Sequence, residues 1–332
     1  MRFAAKALAG AAAAVVLTGC GPGATAAGTA TGSAAPQPTR SVTSGPPALS
    51  MAQLITPQSG KYFGVEASGP PGSLEPVDAF AANVGRRPDI FGQYVSWGSS
   101  FDAQTAHAAW SDGALYYMAW EPFSASVASI ASGSSNTYIS RFAQEVKSAG
   151  VPVAISFGHE MNGNWYPWGV TGATPAGFVA AWRLIHALFA AAGANNVIWV
   201  WNPNIIGGVA GVTLKPYYPG DSYVDWVGLT GYFPMTGART FKNLFGPTMA
   251  QIRQFTSKPF IVVETSVQTG PYQLQCVRSL VNAIRHRPEV LGFIWFEYNK
   301  AGVDWSIADR PAIRVALARA VAHLHIFDVR QQ

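Results

Sequence analysis

The chain has 332 residues, of which 49% are hydrophobic and only 12% charged, with 22 basic and 17 acidic residues giving a formal charge of +5. So weak a bias, with no basic run, excludes the electrostatic footprint of a nucleic-acid binder, and two cysteines exclude a disulfide-stapled scaffold. Eleven Trp, twelve Tyr and eighteen Phe point instead to an uncharged ligand held by stacking and hydrogen bonds.

Met1 to Cys20 reads as an export signal, with Arg2 and Lys6 ahead of an apolar run from Ala7 to Leu17. That run is short of the roughly 20 residues a membrane-spanning helix needs. Leu17-Thr18-Gly19-Cys20 resembles the lipobox of bacterial lipoproteins, which implies an extracellular, cell-surface protein held to the membrane by lipid on Cys20. An ordinary cleaved signal is the alternative. Residues 21–57 are almost entirely Ala, Gly, Thr, Ser and Pro and read as a flexible tether, because they offer too little apolar surface to offset the entropy of ordering. Residues 58–326 then form one domain, close to the roughly 250 residues of an eight-stranded barrel. A monomer without cofactor or metal is expected. Cys276 sits in a helical pattern and reads as a buried, unreactive thiol.

Eight short apolar runs recur along this domain: Tyr62 to Val65, Ile90 to Val95, Ala114 to Ala119, Val153 to Phe157, Val197 to Trp201, Val224 to Leu229, Phe260 to Val263 and Leu291 to Phe296. Amphipathic helical spacing separates most of them, at Leu74 to Val84, Ala103 to Ser111, Thr137 to Ala149, Pro175 to Ala192, Phe241 to Phe255 and Pro271 to His286. Arg310 to Ala322 closes the set. Only Asn202 to Ser222 reads as loop. Eightfold alternation of strand and helix predicts an α/β fold, a single (β/α)8 TIM barrel. A doubly wound open sheet fits less well, since no strand runs into a glycine-rich phosphate turn.

Barrel active sites lie at the C-terminal strand ends, and the polar residues of this chain collect there. The ends carry Glu66, Glu121, His159-Glu160, Trp201-Asn202, Tyr232, Glu264 and Trp295-Phe296-Glu297. The fourth is the richest: Gly158 to Gly169 reads G-H-E-M-N-G-N-W-Y-P-W-G, setting Asn162, Trp165 and Trp168 beside His159 and Glu160. A zinc helix of the H-E-x-x-H type is ruled out by Gly163, and serine hydrolase chemistry lacks any G-x-S-x-G.

Glycoside hydrolysis needs two carboxyl groups flanking the scissile bond, one protonated and one ionised. Glu264 follows the apolar strand Phe260 to Val263, which suits a rigidly held nucleophile, and Glu160 opens a tryptophan-rich loop, which suits an acid. G-H-E-M-N-G-N-W-Y-P-W-G, V-V-E-T-S and W-F-E-Y-N-K-A-G-V-D-W together resemble glycoside hydrolase family 26, over the span from Tyr62 to Ala322. The resemblance implies Glu160 as acid/base and Glu264 as nucleophile in a retaining reaction. It implies further that His159 and Tyr232 help hold the nucleophile and that Trp165 and Trp295 shape the cleavage subsite. Glu121 and Glu297 are expected to meet sugar hydroxyls or Lys300, Glu66 to be structural, and Trp201 and Asn202 to extend the cleft or pack in the barrel. The implied substrate is a β-linked polysaccharide: β-1,4-mannan first, with mixed-linkage β-glucan or β-1,3-xylan as alternatives. A carbohydrate-binding lipoprotein without catalysis is the reading of a different class.

Overall fold

The structure, a computed structural model, describes residues 49–300, 303–327 and 329, with the side chains of Lys300 and Asp304 left out. Cys20, the export signal and the tether to residue 48 lie outside the described residues, as does the expected role of the Lys300 side chain.

In chain order the elements are α1 (Met51–Ile55), β1 (Tyr62–Glu66), α2 (Glu75–Val84), β2 (Ile90–Ser96), α3 (Ala103–Ser111), β3 (Leu115–Glu121), α4 (Val127–Ala131), α5 (Asn136–Ala149), β4 (Val153–Phe157) and α6 (Pro175–Ala192). There follow β5 (Val197–Trp201), two 3-10 turns, β6 (Trp226–Thr230), α7 (Phe241–Ile252), β7 (Phe260–Thr265), α8 (Gln273–His286), β8 (Val290–Phe296), a short hairpin β9–β10 (Asn299–Lys300 and Val303–Asp304) and α9 (Pro311–Ala322). β1 to β8 pair in sequence order and β8 returns to pair with β1, all parallel, so the expected (β/α)8 barrel closes.

Local chemistry marks the element ends. The Thr174 hydroxyl accepts from the Gly177 amide at 3.1 Å, Pro175 fills the first turn of α6, and Gly193 ends it in the left-handed conformation at φ 74°. Along the strands, side chains alternate between two cores. Ile90, Leu115, Tyr117, Ile198, Val200, Ile261 and Ile294 fill the barrel, while Phe63, Phe91, Met118, Ile155, Trp199 and Phe293 pack outward under the helices.

The end of the expected tether differs from its reading. Met51–Ile55 is helical, begun by a capping box between Ser50 and Gln53, and Leu54 is fully buried. The Tyr62 hydroxyl donates to Leu54 O at 2.7 Å and the Trp226 indole to Ile55 O at 2.9 Å, so α1 stoppers the N-terminal mouth of the barrel. The opposite mouth is left for the site.

Candidate active site

At the end of β4 the backbone turns sharply. Gly158 has φ 56° and Glu160 φ 55°, the one non-glycine residue with positive φ among the described residues. A left-handed side chain costs roughly 1–2 kcal/mol, and the surroundings hold it: Glu160 N donates to Asn202 O at 2.7 Å and Gly163 N to Glu160 O at 2.8 Å. Asn162 and Asn204 clamp the loop, with Asn162 Nδ2 on Asn204 O and Asn204 N on Asn162 Oδ1, both at 2.9 Å. The Glu160 carboxylate accepts from the Trp165 indole at 2.6 Å and from Asn204 Nδ2. Gly163 makes room for that indole, since a Cβ there would fall 2.4 Å from Trp165 Cζ2.

Glu264 reaches the same mouth by an irregularity. Val262 packs outward and Ile261 and Val263 inward, so strict alternation would turn Glu264 toward the helices. The β7–β8 register shifts between Val262 and Thr265, and that of β6–β7 at Leu229/Thr230. Such shifts re-aim side chains. Glu264 consequently meets Tyr94, whose hydroxyl donates to Oε2 at 2.7 Å, and Tyr232, whose hydroxyl donates to Oε1. Burial, and then the adjacent Glu264 charge, push both phenols well above the usual tyrosine range, so both remain protonated donors.

His159 is enclosed by the rings of Tyr166 (centroids 4.9 Å apart), Tyr94 (5.5 Å) and Trp168 (5.7 Å), with its Nε2 4.0 Å from Glu121 Oε1. It bears on the nucleophile through Tyr94, one of the two phenols holding Glu264. Glu121 at the end of β3 is mostly buried, with 13% of its side chain exposed.

Several expected ligands do not face the cleft. Trp295 is fully buried on the outward side of β8, because Ile294 takes the inward position; the next inward ring is Phe296, against Tyr232 at 5.4 Å. Trp201 is likewise outward, its indole donating to Tyr217 O at 3.0 Å. Trp168 is buried with its indole on His159 O at 2.6 Å, so it backs the loop. Asn162 is buried in the clamp of its own loop, whereas Asn202 shares the inward parity of Ile198 and Val200 and sits buried beneath the mouth, accepting from Thr230 Oγ1 at 3.1 Å. Glu297 accepts from Ser306 Oγ at 2.5 Å and from Ile307 N at 2.8 Å, which ties it to the loop after β10.

Sequence reasoning missed Tyr94, Asn204 and Trp305. Tyr94 could have been found, since Ile90, Gly92 and Tyr94 share the inward parity of β2. Trp305 is half-buried and 4.7 Å from the Tyr232 ring, whereas Trp295, implied to shape the cleavage subsite, faces the helices. The Trp305 loop is pinned by the buried Arg310, which donates to Val267 O at 2.6 Å, Ser306 O at 2.5 Å and Trp305 O. No sequence pattern announces that pinning.

Comparison with known proteins agrees with the barrel fold. Residues 125–267, which hold both glutamates, match Glycosyl hydrolase family 26. Endoglucanase H of Acetivibrio thermocellus is 30% identical over 287 residues, covering 82% of this chain and 32% of its own. A mannan endo-1,4-beta-mannosidase of Bacillus subtilis is 29% identical over 188 residues, 52% of this chain and 46% of its own. The chain thus spans less than half the length of either curated relative. Among solved structures, a Bacillus subtilis mannanase (TM-score 0.61, 20% identity, 83% of this chain and 89% of that one) and a modular endo-beta-1,4-mannanase of Cellulomonas fimi (TM-score 0.64, 18% identity, 82% and 73%) share the barrel fold. With its H-E motif and V-V-E strand end both inside the matched residues, the chain is similar to glycosyl hydrolase family 26 over residues 125–267.

Proposed function

We propose that this protein is an endo-acting, retaining glycoside hydrolase of β-1,4-mannan. The observation that carries the reading is the pair of buried carboxylates at the ends of β4 and β7, each held by two side-chain donors in a mouth lined with aromatic rings. In the proposed reaction Glu264 attacks the anomeric carbon while Glu160 gives a proton to the departing oxygen. A water that Glu160 then deprotonates cleaves the resulting glycosyl ester, regenerating both groups. Tyr94 and Tyr232 fix the attacking carboxylate, and Trp165 and Asn204 fix the acid. Half-buried Trp165 and Trp305 offer flat faces to the sugar, and Glu121 a rim carboxylate to its hydroxyls.

Hydrolysis of mixed-linkage β-glucan is the second reading, favoured by the length of the alignment with Endoglucanase H. Mannose and glucose differ in one hydroxyl, and a few hydrogen bonds decide between them. A reducing-sugar assay over glucomannan, galactomannan, mixed-linkage β-glucan and β-1,3-xylan tests activity and substrate together. Release from the mannans supports the first reading, release from mixed-linkage glucan alone supports the second, and inactivity on all four overturns the enzyme. The proposed place of action is the outer cell surface, with lipid on Cys20. Cys20→Ser then frees the protein into the medium, whereas a wild type recovered wholly in the medium without fatty-acid label contradicts the anchor.

A further inference from the structure

Among the described residues, Phe123 is the one exposed large aromatic side chain, 46% open to solvent. It lies on the loop just after β3, and the loop is held firmly. Phe123 N donates to Glu121 O at 2.9 Å, and Ser124 Oγ to Trp97 O at 3.0 Å. The ring stands edge-on to Trp168 (4.8 Å, 70°) and to Tyr166 (5.9 Å, 71°). Trp168 and Tyr166 stack at 4.4 Å and 10°, and Tyr166 abuts His159, the neighbour of Glu160. A continuous path of rings therefore runs from the acid's loop to the rim and ends in an aromatic ring open to solvent.

Leaving an aromatic in water forgoes burial free energy, and the sequence Glu121-Pro122-Phe123 presents it on a stiff support. A pyranose offers such a ring a face of C–H groups. We infer that Phe123 is a sugar-stacking platform remote from the cleavage point, binding a further unit of the β-linked glycan and making the enzyme's efficiency depend on chain length. The inference rests on the proposed function, but it concerns binding and can be read without turnover.

The test is calorimetry on the Glu264→Ala protein and on Glu264→Ala/Phe123→Ala, with a ladder of oligosaccharides from two to six units taken from the glycan the wild type cleaves, or mannan oligosaccharides if it cleaves none. The expected result is affinity that rises with length in the first protein. The double variant loses about tenfold on the hexamer and much less on the dimer, and Phe123→Trp recovers it. Melting temperatures of the two proteins, compared first, exclude a folding defect. Equal loss at every length, or no loss at any, overturns the platform while leaving the enzyme intact. Absence of hydrolysis by wild type with the length dependence preserved overturns the proposed activity and leaves the platform standing.

Discussion

Tyr232 donates its phenolic proton to one oxygen of Glu264 while Tyr94, from across the barrel, donates to the other at 2.7 Å. The carboxylate is thereby fixed in rotation as well as position. A hydrogen bond to a charged group contributes about 1.5–3 kcal/mol, so Tyr232→Phe is expected to lower kcat by roughly 10- to 100-fold. Steady-state kinetics check this. An unchanged kcat would mean that the phenol holds the loop and not the reacting group.

Trp165 reaches Glu160 because Gly163 carries no side chain. Gly163→Ala should displace the indole and reduce kcat/KM about as far as Trp165→Ala does, with a small change in melting temperature, since the ring is only half-buried. Should Gly163→Ala retain full activity, the indole–carboxylate bond would have no part in turnover.

The left-handed backbone of Glu160 gives a stability comparison that needs no substrate. Glu160→Ala and Glu160→Gly both remove the carboxylate, but only Ala retains the steric conflict at φ 55°. The Gly variant is expected to be more stable by about 1 kcal/mol, or about 2–4 °C in melting temperature. Equal melting temperatures would show the loop relaxing without its carboxylate.

Tyr62, Tyr94, Tyr117, Tyr166 and Tyr232 are all pushed well above the usual tyrosine range, burial being the largest cause in each. Their folded values exceed the unfolded one of about 10, so the stability they contribute is fully present below pH 10 and is lost as pH rises beyond it. Absorbance at 295 nm should show these phenols ionising together with loss of near-UV circular dichroism. Smooth titration near pH 10 in a protein that stays folded would contradict their burial.

The barrel was legible because its strands and helices alternate with clear periods, and β4, β5, α3 and α6 fall at the positions expected. Glu160 and Glu264 were legible as acids at strand ends. Trp295 was misplaced although the information was at hand: Ile294 and Trp295 cannot both face inward, and the small-to-large parity of β8 sends the indole to the helices. What no period reveals is the register shift that turns Glu264 inward, or the pairing of Asn162 with Asn204 across 42 positions. Both arise from contacts distant in sequence. α1 was missed for a different reason, since five residues leave almost no periodic signal and the helix forms by capping and by packing under the barrel.

The division of labour between Glu160 and Glu264 is the central claim, and azide rescue tests it most directly. With an activated aryl β-glycoside, Glu160→Ala should still form the glycosyl-enzyme, because a good leaving group needs no proton, and should then stall for lack of a base. Added azide needs no base, so turnover should recover and proton NMR should show a β-glycosyl azide. An α-glycosyl azide from Glu160→Ala, or rescue confined to Glu264→Ala, would contradict the assignment.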